Sequence, residues 1–187
     1  MTLFKTNLVF LIAMIFLAGC AATGSTPSQK RNNILAMEKQ VLKELYKAKP
    51  KVRAIIKKAP GYAVFSNANI NVIFASFGGG YGVVKNNRTG KRTYMKMGEV
   101  GIGLGLGVKD FRAVFVFHNT RTMNKFIKSG WEFGGHADAA AKANKKGGAV
   151  GGEALVDNIS IYQLTETGLA LQATIKGTKY WKDDELN

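Results

Sequence analysis

The sequence predicts an α+β domain: a mainly antiparallel β-sheet or barrel-like sandwich, preceded by amphipathic helices and carrying one short inserted helix. Three observations carry that reading. Apolar residues recur at three- and four-residue steps between Asn33 and Lys49. Segments rich in Val, Ile and Phe, several with period-two alternation, fill the chain after Gly61. Asn, Gly and Pro punctuate the joints between them. With 187 residues, 46% of them hydrophobic, the chain suits one domain with its own core.

The elements follow in order. Ile34, Leu35, Met37, Val41, Leu42 and Leu45 make one helix face, with Asn32 or Asn33 as cap and Pro50 as terminator. A second short helix starts near Pro50, turns Val52, Ile55 and Ile56 inward, and stops at Pro60-Gly61. Strands are expected at Tyr62–Ser66, Ile70–Phe77, Lys91–Met97, Glu99–Val108 and Phe111–Phe117, with a turn at Asn86–Gly90. Asn119–Lys128 reads as a helix and Trp131–Phe133 as a strand. Ile159–Leu164 and Leu169–Ile175 form a hairpin across Thr165–Gly168. The alanine-rich Ala137–Ala143 fits helix by propensity and strand by position, and Lys145–Gly152 reads as a basic, glycine-rich loop.

The N-terminus sets the expected compartment. Lys5 precedes an apolar run from Leu8 to Leu17, which has the length of a signal-peptide core. The run ends in Leu17-Ala18-Gly19-Cys20, and Cys20 is the only cysteine. This resembles the lipobox of bacterial lipoproteins. The resemblance implies cleavage before Cys20, a diacylglycerol thioether on its sulfur and a further acyl chain on its amine. Residues 1–19 are then the signal peptide, 20–32 the lipidated cysteine with a flexible tether, and 33–187 the domain. Ten extended tether residues, 21–30, would reach about 33–36 Å. Ala21 and Ala22 after the cysteine, with no Asp, imply the outer membrane by the same resemblance.

Charge narrows the partner. The chain has 27 Lys+Arg against 12 Asp+Glu, a net charge of +15, and loss of Lys5 with the signal brings it to about +14. Such a balance calls for an anionic partner, either nucleic acid or an acidic lipid surface. Export of a membrane-tethered chain disfavours nucleic acid. The charge concentrates on the helix pair, at Lys39, Lys43, Lys47, Lys49, Lys51, Arg53, Lys57 and Lys58. Between Lys39 and Lys58 the one acid is Glu44. A second basic patch, Lys85, Arg88, Lys91, Arg92 and Lys96, lies along the first hairpin.

The 22 glycines do not mark a nucleotide site. Neither Gly78–Gly82 nor Gly101–Gly107 opens a helix that could meet a phosphate, and no Gly-Lys-Ser/Thr is present. Alternate glycines instead free a strand face for close approach, either by an aromatic such as Trp131 or Phe133 or by an acyl chain. No catalytic constellation is legible. His118 and His136 lack partners at ligand spacing, lipid consumes the sole thiol, and neither a Gly-x-Ser-x-Gly elbow nor a His-Glu-x-x-His helix occurs. The expectation is a binding protein with no enzyme activity, metal or cofactor.

The order of motifs carries a family resemblance. Ala59–Phe65 is followed by Phe77-Gly78-Gly79-Gly80-Tyr81-Gly82 and by Gly101-Ile102-Gly103-Leu104-Gly105. Then come Phe115–Phe117, Gly130-Trp131-Glu132-Phe133-Gly134, Gly168-Leu169-Ala170 and Ile175-Lys176-Gly177-Thr178-Lys179. Over roughly residues 35–180 this pattern resembles the SYLF domain, a lipid-binding module of actin-patch proteins that also occurs in bacterial lipoproteins. Ser66-Asn67-Ala68-Asn69 departs from it where members usually place proline. The resemblance implies binding to anionic phospholipid through the basic N-terminal region. The segment that matches is the Lys39–Lys58 helix pair, with Lys39, Lys43, Lys47, Lys51, Arg53, Lys57 and Lys58 as candidates, and the charge pattern adds Lys85, Arg88, Lys91 and Arg92 on the hairpin. The alternative is an envelope protein that holds an acidic polymer or a protein partner on the same surface.

Overall fold

The computed structural model describes residues 22–133, 153–165, 168–169 and 176–187, and side chains within these except at 68–77, 101–111, 132–133, 153–154, 156, 165, 168–169 and 176–177. The leader with Cys20, Ala137–Ala143, Lys145–Gly152 and most of the strand expected at Leu169–Ile175 lie outside the described residues. The side chains of Gly101–Val108 do as well.

Helix α1 runs from Pro27 to Ala48. It begins earlier than the apolar period suggests, because Thr26 in extended backbone caps it and Pro27 occupies the first turn. The Thr26 hydroxyl accepts from the Gln29 amide at 3.2 Å. Residues 27–32, read from sequence as flexible tether, are therefore its first turns, and the cap at Asn32 or Asn33 is corrected. The chain just before α1 is fixed too. Ala22 is buried against Ile34, Val83 and Leu186, and Asn33 Nδ2 donates to the Thr23 carbonyl at 2.6 Å. Helix α2 spans Val52–Lys58, with Val52 and Ile56 buried. Ile55, expected inward, is 40% exposed. A helix of this length offers the sheet only one i, i+4 pair.

The expected strand pieces fuse into two. Strand β1 runs Gly61–Asn86 and β2 runs Arg92–Phe117. They pair antiparallel from Gly61↔Phe117 to Lys85↔Arg92, with one register shift between Ile73 and Ala75. This long ribbon folds over on itself. Built Cβ atoms at Gly80 and Gly82 would strike the Ser66 and Val64 carbonyls, and Gly82 would also strike the Phe65 ring. Asn67 Nδ2 reaches Glu99 Oε2 at 3.0 Å, although in the ladder Asn67 faces Phe111 and Glu99 faces Gly78. Close backbone approach is seen at Gly80 and Gly82, where the ring is Phe65; the alternating Gly101–Gly107, expected to meet an aromatic, lie outside the described side chains.

Helix α3 (Thr120–Ser129) is capped by Asn119, whose side chain accepts from the Thr122 amide at 2.8 Å. The remaining strands are β3 (Trp131–Phe133), β4 (Glu153–Val156), β5 (Ile159–Thr165), β6 (Gly168–Leu169) and β7 (Lys176–Lys182). They join one antiparallel sheet in the order β3-β7-β2-β5-β4, with β1 also on β2 and β6 also on β5. Among the described strands the sheet is open. It is α+β as expected, but helices cover its faces where the barrel-like sandwich placed more sheet.

One face carries Ala63, Phe65, Met95, Met97, Phe115, Phe117, Ile161 and Tyr180 against Met123 and Phe126 of α3. Its rings pack edge-on: Phe65–Phe115 at 5.6 Å and Phe117–Phe126 at 5.2 Å. The other face carries Tyr62, Val64, Val114, Val116, Tyr162 and Leu164 against Val41 and Leu45 of α1 and Val52 and Ile56 of α2. Both N-terminal helices therefore turn their outer surfaces to the same side of the molecule.

Candidate lipid-facing basic surface

The buried stripe of α1 is Ile34, Glu38, Val41 and Leu45. Lys39, Lys43 and Lys47 follow one another at four-residue steps and are all exposed, so they form a row along the outer side. On α2, Lys51, Arg53, Lys57 and Lys58 are exposed as well. The Arg53 guanidinium lies 4.9 Å from the centre of the Tyr46 ring.

The two acids of α1 do not neutralise this surface, because the sheet takes both. Glu44 accepts from Arg112 Nη1 at 2.9 and 2.8 Å. Glu38, 3% exposed, accepts from the Tyr62 hydroxyl at 2.6 Å and from Arg92 Nε at 3.3 Å. Among the described residues, Lys39, Lys43, Lys47, Lys51, Lys57 and Lys58 have no acidic partner. A buried carboxylate needs such partners, and meeting that need on the inner side strips the outer side of negative charge.

The hairpin patch is joined to the helices. Asn87 Nδ2 donates to the Ile56 carbonyl at 2.7 Å and the Ala59 carbonyl at 3.0 Å, which pins the β1–β2 turn to the end of α2. Exposed Arg88 and Lys91 thereby extend the helix surface. Lys85 and Arg92 are half-buried: Lys85 Nζ is 6.0 Å from the Tyr62 ring centre, and Arg92 holds Glu38. Arg92 thus ties the hairpin to α1, while Lys85 packs on a ring of its own strand. Of the sequence-predicted residues, Cys20 alone lies outside the described ones.

The Tyr62 hydroxyl has its pKa raised well above the usual tyrosine range, first by burial and then by its bond to the Glu38 carboxylate. Burial, assisted by the charge of Glu99, does the same to Tyr180. A pKa raised on folding gives stability that is complete below about pH 10 and is lost as pH climbs toward the folded value. Thermal melts are therefore expected to hold steady to about pH 9 and to fall above about pH 10. Tyr62→Phe should make that alkaline fall shallower. At neutral pH it should cost about 1–3 kcal/mol, because Glu38 loses a buried donor. An identical alkaline profile for wild type and variant would contradict this.

His118 finds a partner that spacing did not show: its Nε2 lies 2.9 Å from Ser160 Oγ. Ser160 is buried, and among the described residues no carboxylate is shown bonded to the other ring nitrogen. Among the described residues no group of three His, Cys, Asp or Glu could hold a metal, and no helix is long and apolar enough to cross a membrane.

A third basic cluster leaves no mark in the sequence. Arg31, Lys128 and Lys182 join Lys91 and Arg92 around a cavity of about 620 Å³ at the turn end of the sheet. These residues come from α1, α3, β7 and the β1–β2 hairpin, and no local spacing connects them.

Comparison with known proteins agrees with this architecture. Residues 98–187 match the model of the Ysc84 family, described as "Las17-binding protein actin regulator". The chain is 33% identical over 168 residues to "Beta cell expansion factor A" of Aeromonas veronii, an alignment that covers 86% of this chain. The chain spans 60% of that relative's length. The order of glycine and aromatic motifs, the α+β sheet and these two matches agree: residues 98–187 carry the SYLF (Ysc84) family pattern.

Proposed function

We propose that this protein is an envelope lipoprotein, anchored through acylated Cys20 and probing anionic phospholipid with the outer faces of α1 and α2 and the adjoining hairpin turn. The observation that carries the reading is the row of lysines without acidic partners, Lys39, Lys43 and Lys47, extended by Lys51, Lys57 and Lys58. Each cation held at an anionic surface contributes roughly 1 kcal/mol, so six need no pocket to bind. Exposed Ile55 among these cations gives the surface an apolar point that can enter the headgroup layer. The lipobox at Leu17–Cys20 supports the anchor, and the residues after it support an outer-membrane site.

Co-sedimentation with vesicles tests the reading. The chain without residues 1–20 should pellet with phosphatidylglycerol vesicles and stay in solution with phosphatidylcholine alone. Equal binding to both contradicts it.

A second reading has its own support. The family description names a protein ligand, Las17, and so a protein partner for the same basic surface is the alternative. An acidic segment of an envelope protein would satisfy the same lysines. Cross-linking in cells that recovers one partner protein, unchanged when anionic lipid is depleted, would favour it.

A further inference from the structure

We propose that the cavity at the turn end of the sheet is a phosphate-binding pocket, and that its occupant is the headgroup of an anionic phospholipid in the membrane that holds the anchor. Five cations line it: Arg31, Lys91, Arg92, Lys128 and Lys182. No acidic side chain does. Of the three acids in the last residues, Asp183 is engaged by Lys96 at 3.3 Å and Glu185 by Lys30 at 2.7 Å, and exposed Asp184 does not line the cavity. Even with Arg92 offset by Glu38 and one more charge offset by a carboxylate on Asn187, three of the five positive charges remain.

The chemistry favours phosphate. Arg31 uses one Nη1 contact on the Leu186 carbonyl at 3.1 Å, and Arg92 uses Nε on Glu38. Each keeps guanidinium N–H groups for a second ligand, and guanidinium forks match phosphate oxygens. Lys91, Lys128 and Lys182 are exposed at the rim and supply mobile point charges. A volume of about 620 Å³ falls within the range of small-ligand sites. Ile127, Tyr94 and Leu186 give the wall an apolar part, suited to the glycerol and first acyl carbons beside a phosphate.

The position selects lipid as the source. Tyr94 and Leu186 also belong to the cluster that buries Ala22. Ala22 stands two residues after Cys20, a reach of about 7 Å. An acyl group on Cys20 therefore brings the bilayer to the mouth of this pocket. The occupant rests on the anionic-lipid reading above, whereas the phosphate chemistry of the pocket stands without it.

The test uses the whole chain purified in detergent and two probes: inorganic pyrophosphate by calorimetry, and phosphatidylcholine vesicles with or without cardiolipin. In the double variant Lys128→Gln/Lys182→Gln, pyrophosphate affinity should fall at least tenfold, and the gain in vesicle binding due to cardiolipin should shrink. The triple variant Lys39→Glu/Lys43→Glu/Lys47→Glu should keep wild-type pyrophosphate affinity. Unchanged pyrophosphate binding in the double variant, or none in wild type, overturns the pocket. Weakened pyrophosphate binding with an unaltered cardiolipin effect overturns the lipid occupant and leaves a soluble phosphate compound. Full vesicle binding by the triple variant overturns the helix-surface reading alone. Both variants change exposed side chains, and a wild-type thermal melt verifies the fold.

Discussion

Gly82→Val should destabilise the protein by about 3 kcal/mol, the upper end of the usual cost of overpacking. Its Cβ would meet the Val64 carbonyl and the Phe65 ring together, where the two ends of β1 cross. A backbone carbonyl cannot rotate away as a flexible side chain can, and Phe65 is locked among Phe115, Phe126 and Tyr180. For a domain of this size the melting temperature should drop by roughly 6–12 °C. Gly90→Ala is the matched control. Gly90 has φ 73° and nothing within 4 Å of a built Cβ, so it tests backbone strain without collision and should cost about 1 kcal/mol. Equal melts for the two variants would remove the folded ribbon's claim on its glycines.

The triple charge reversal at Lys39, Lys43 and Lys47 should have the largest effect on binding. Losing three attractive cations removes about 3 kcal/mol, a weakening of roughly a hundredfold, before any repulsion from the new carboxylates. The side chains are exposed and the helix keeps its buried stripe, so stability should change by less than about 0.5 kcal/mol. High salt should reduce wild-type binding and leave the reversed variant little changed, since exposed charges are screened within about 8–10 Å. Wild-type affinity in the variant would show that the row of lysines is only a solvated face.

The helices were legible because burial imposes a period on them. The steps from Ile34 to Leu45 and the trio Met123, Phe126 and Ile127 each mark a face that meets the sheet. The long strands were legible only in pieces. Ser66–Asn69 is poor in β-formers and separates two expected strands, yet the ladder runs through it, as it does through Gly78–Gly82, where ribbon folding demands small residues at Gly80 and Gly82. Strand β7 carries Lys176, Lys179 and Lys182, and among its described side chains only Thr178 and Tyr180 are buried, too few to show alternation. Strand β4 did leave a signal. Asp157 and Asn158, at φ 51° and 63°, form the two-residue turn to β5 that such a pair between apolar runs predicts.

The basic surface was legible residue by residue, and its lack of neutralisation was not. Glu38 and Glu44 sit in sequence beside Lys39 and Lys43, and Lys47 stands three residues after Glu44, so the sequence alone reads as partly neutralised. The fold turns Glu38 inward to Arg92 and Tyr62 and pairs the partly exposed Glu44 with Arg112 of the sheet. The tether was misjudged for a related reason: Ala22 is small and flanked by polar residues, and only Ile34, Val83 and Leu186 together make a site for it. If Cys20 carries the proposed lipid, the burial of Ala22 two residues later would keep the charged surface within reach of the bilayer.

Native mass spectrometry of the protein extracted from membranes tests that arrangement most directly. The account predicts a chain that begins at Cys20, carries acyl groups on that residue and retains anionic phospholipid, with less lipid retained by the triple lysine variant. A chain that keeps residues 1–19 with an unmodified Cys20, or an acylated chain that retains no anionic lipid, would contradict it.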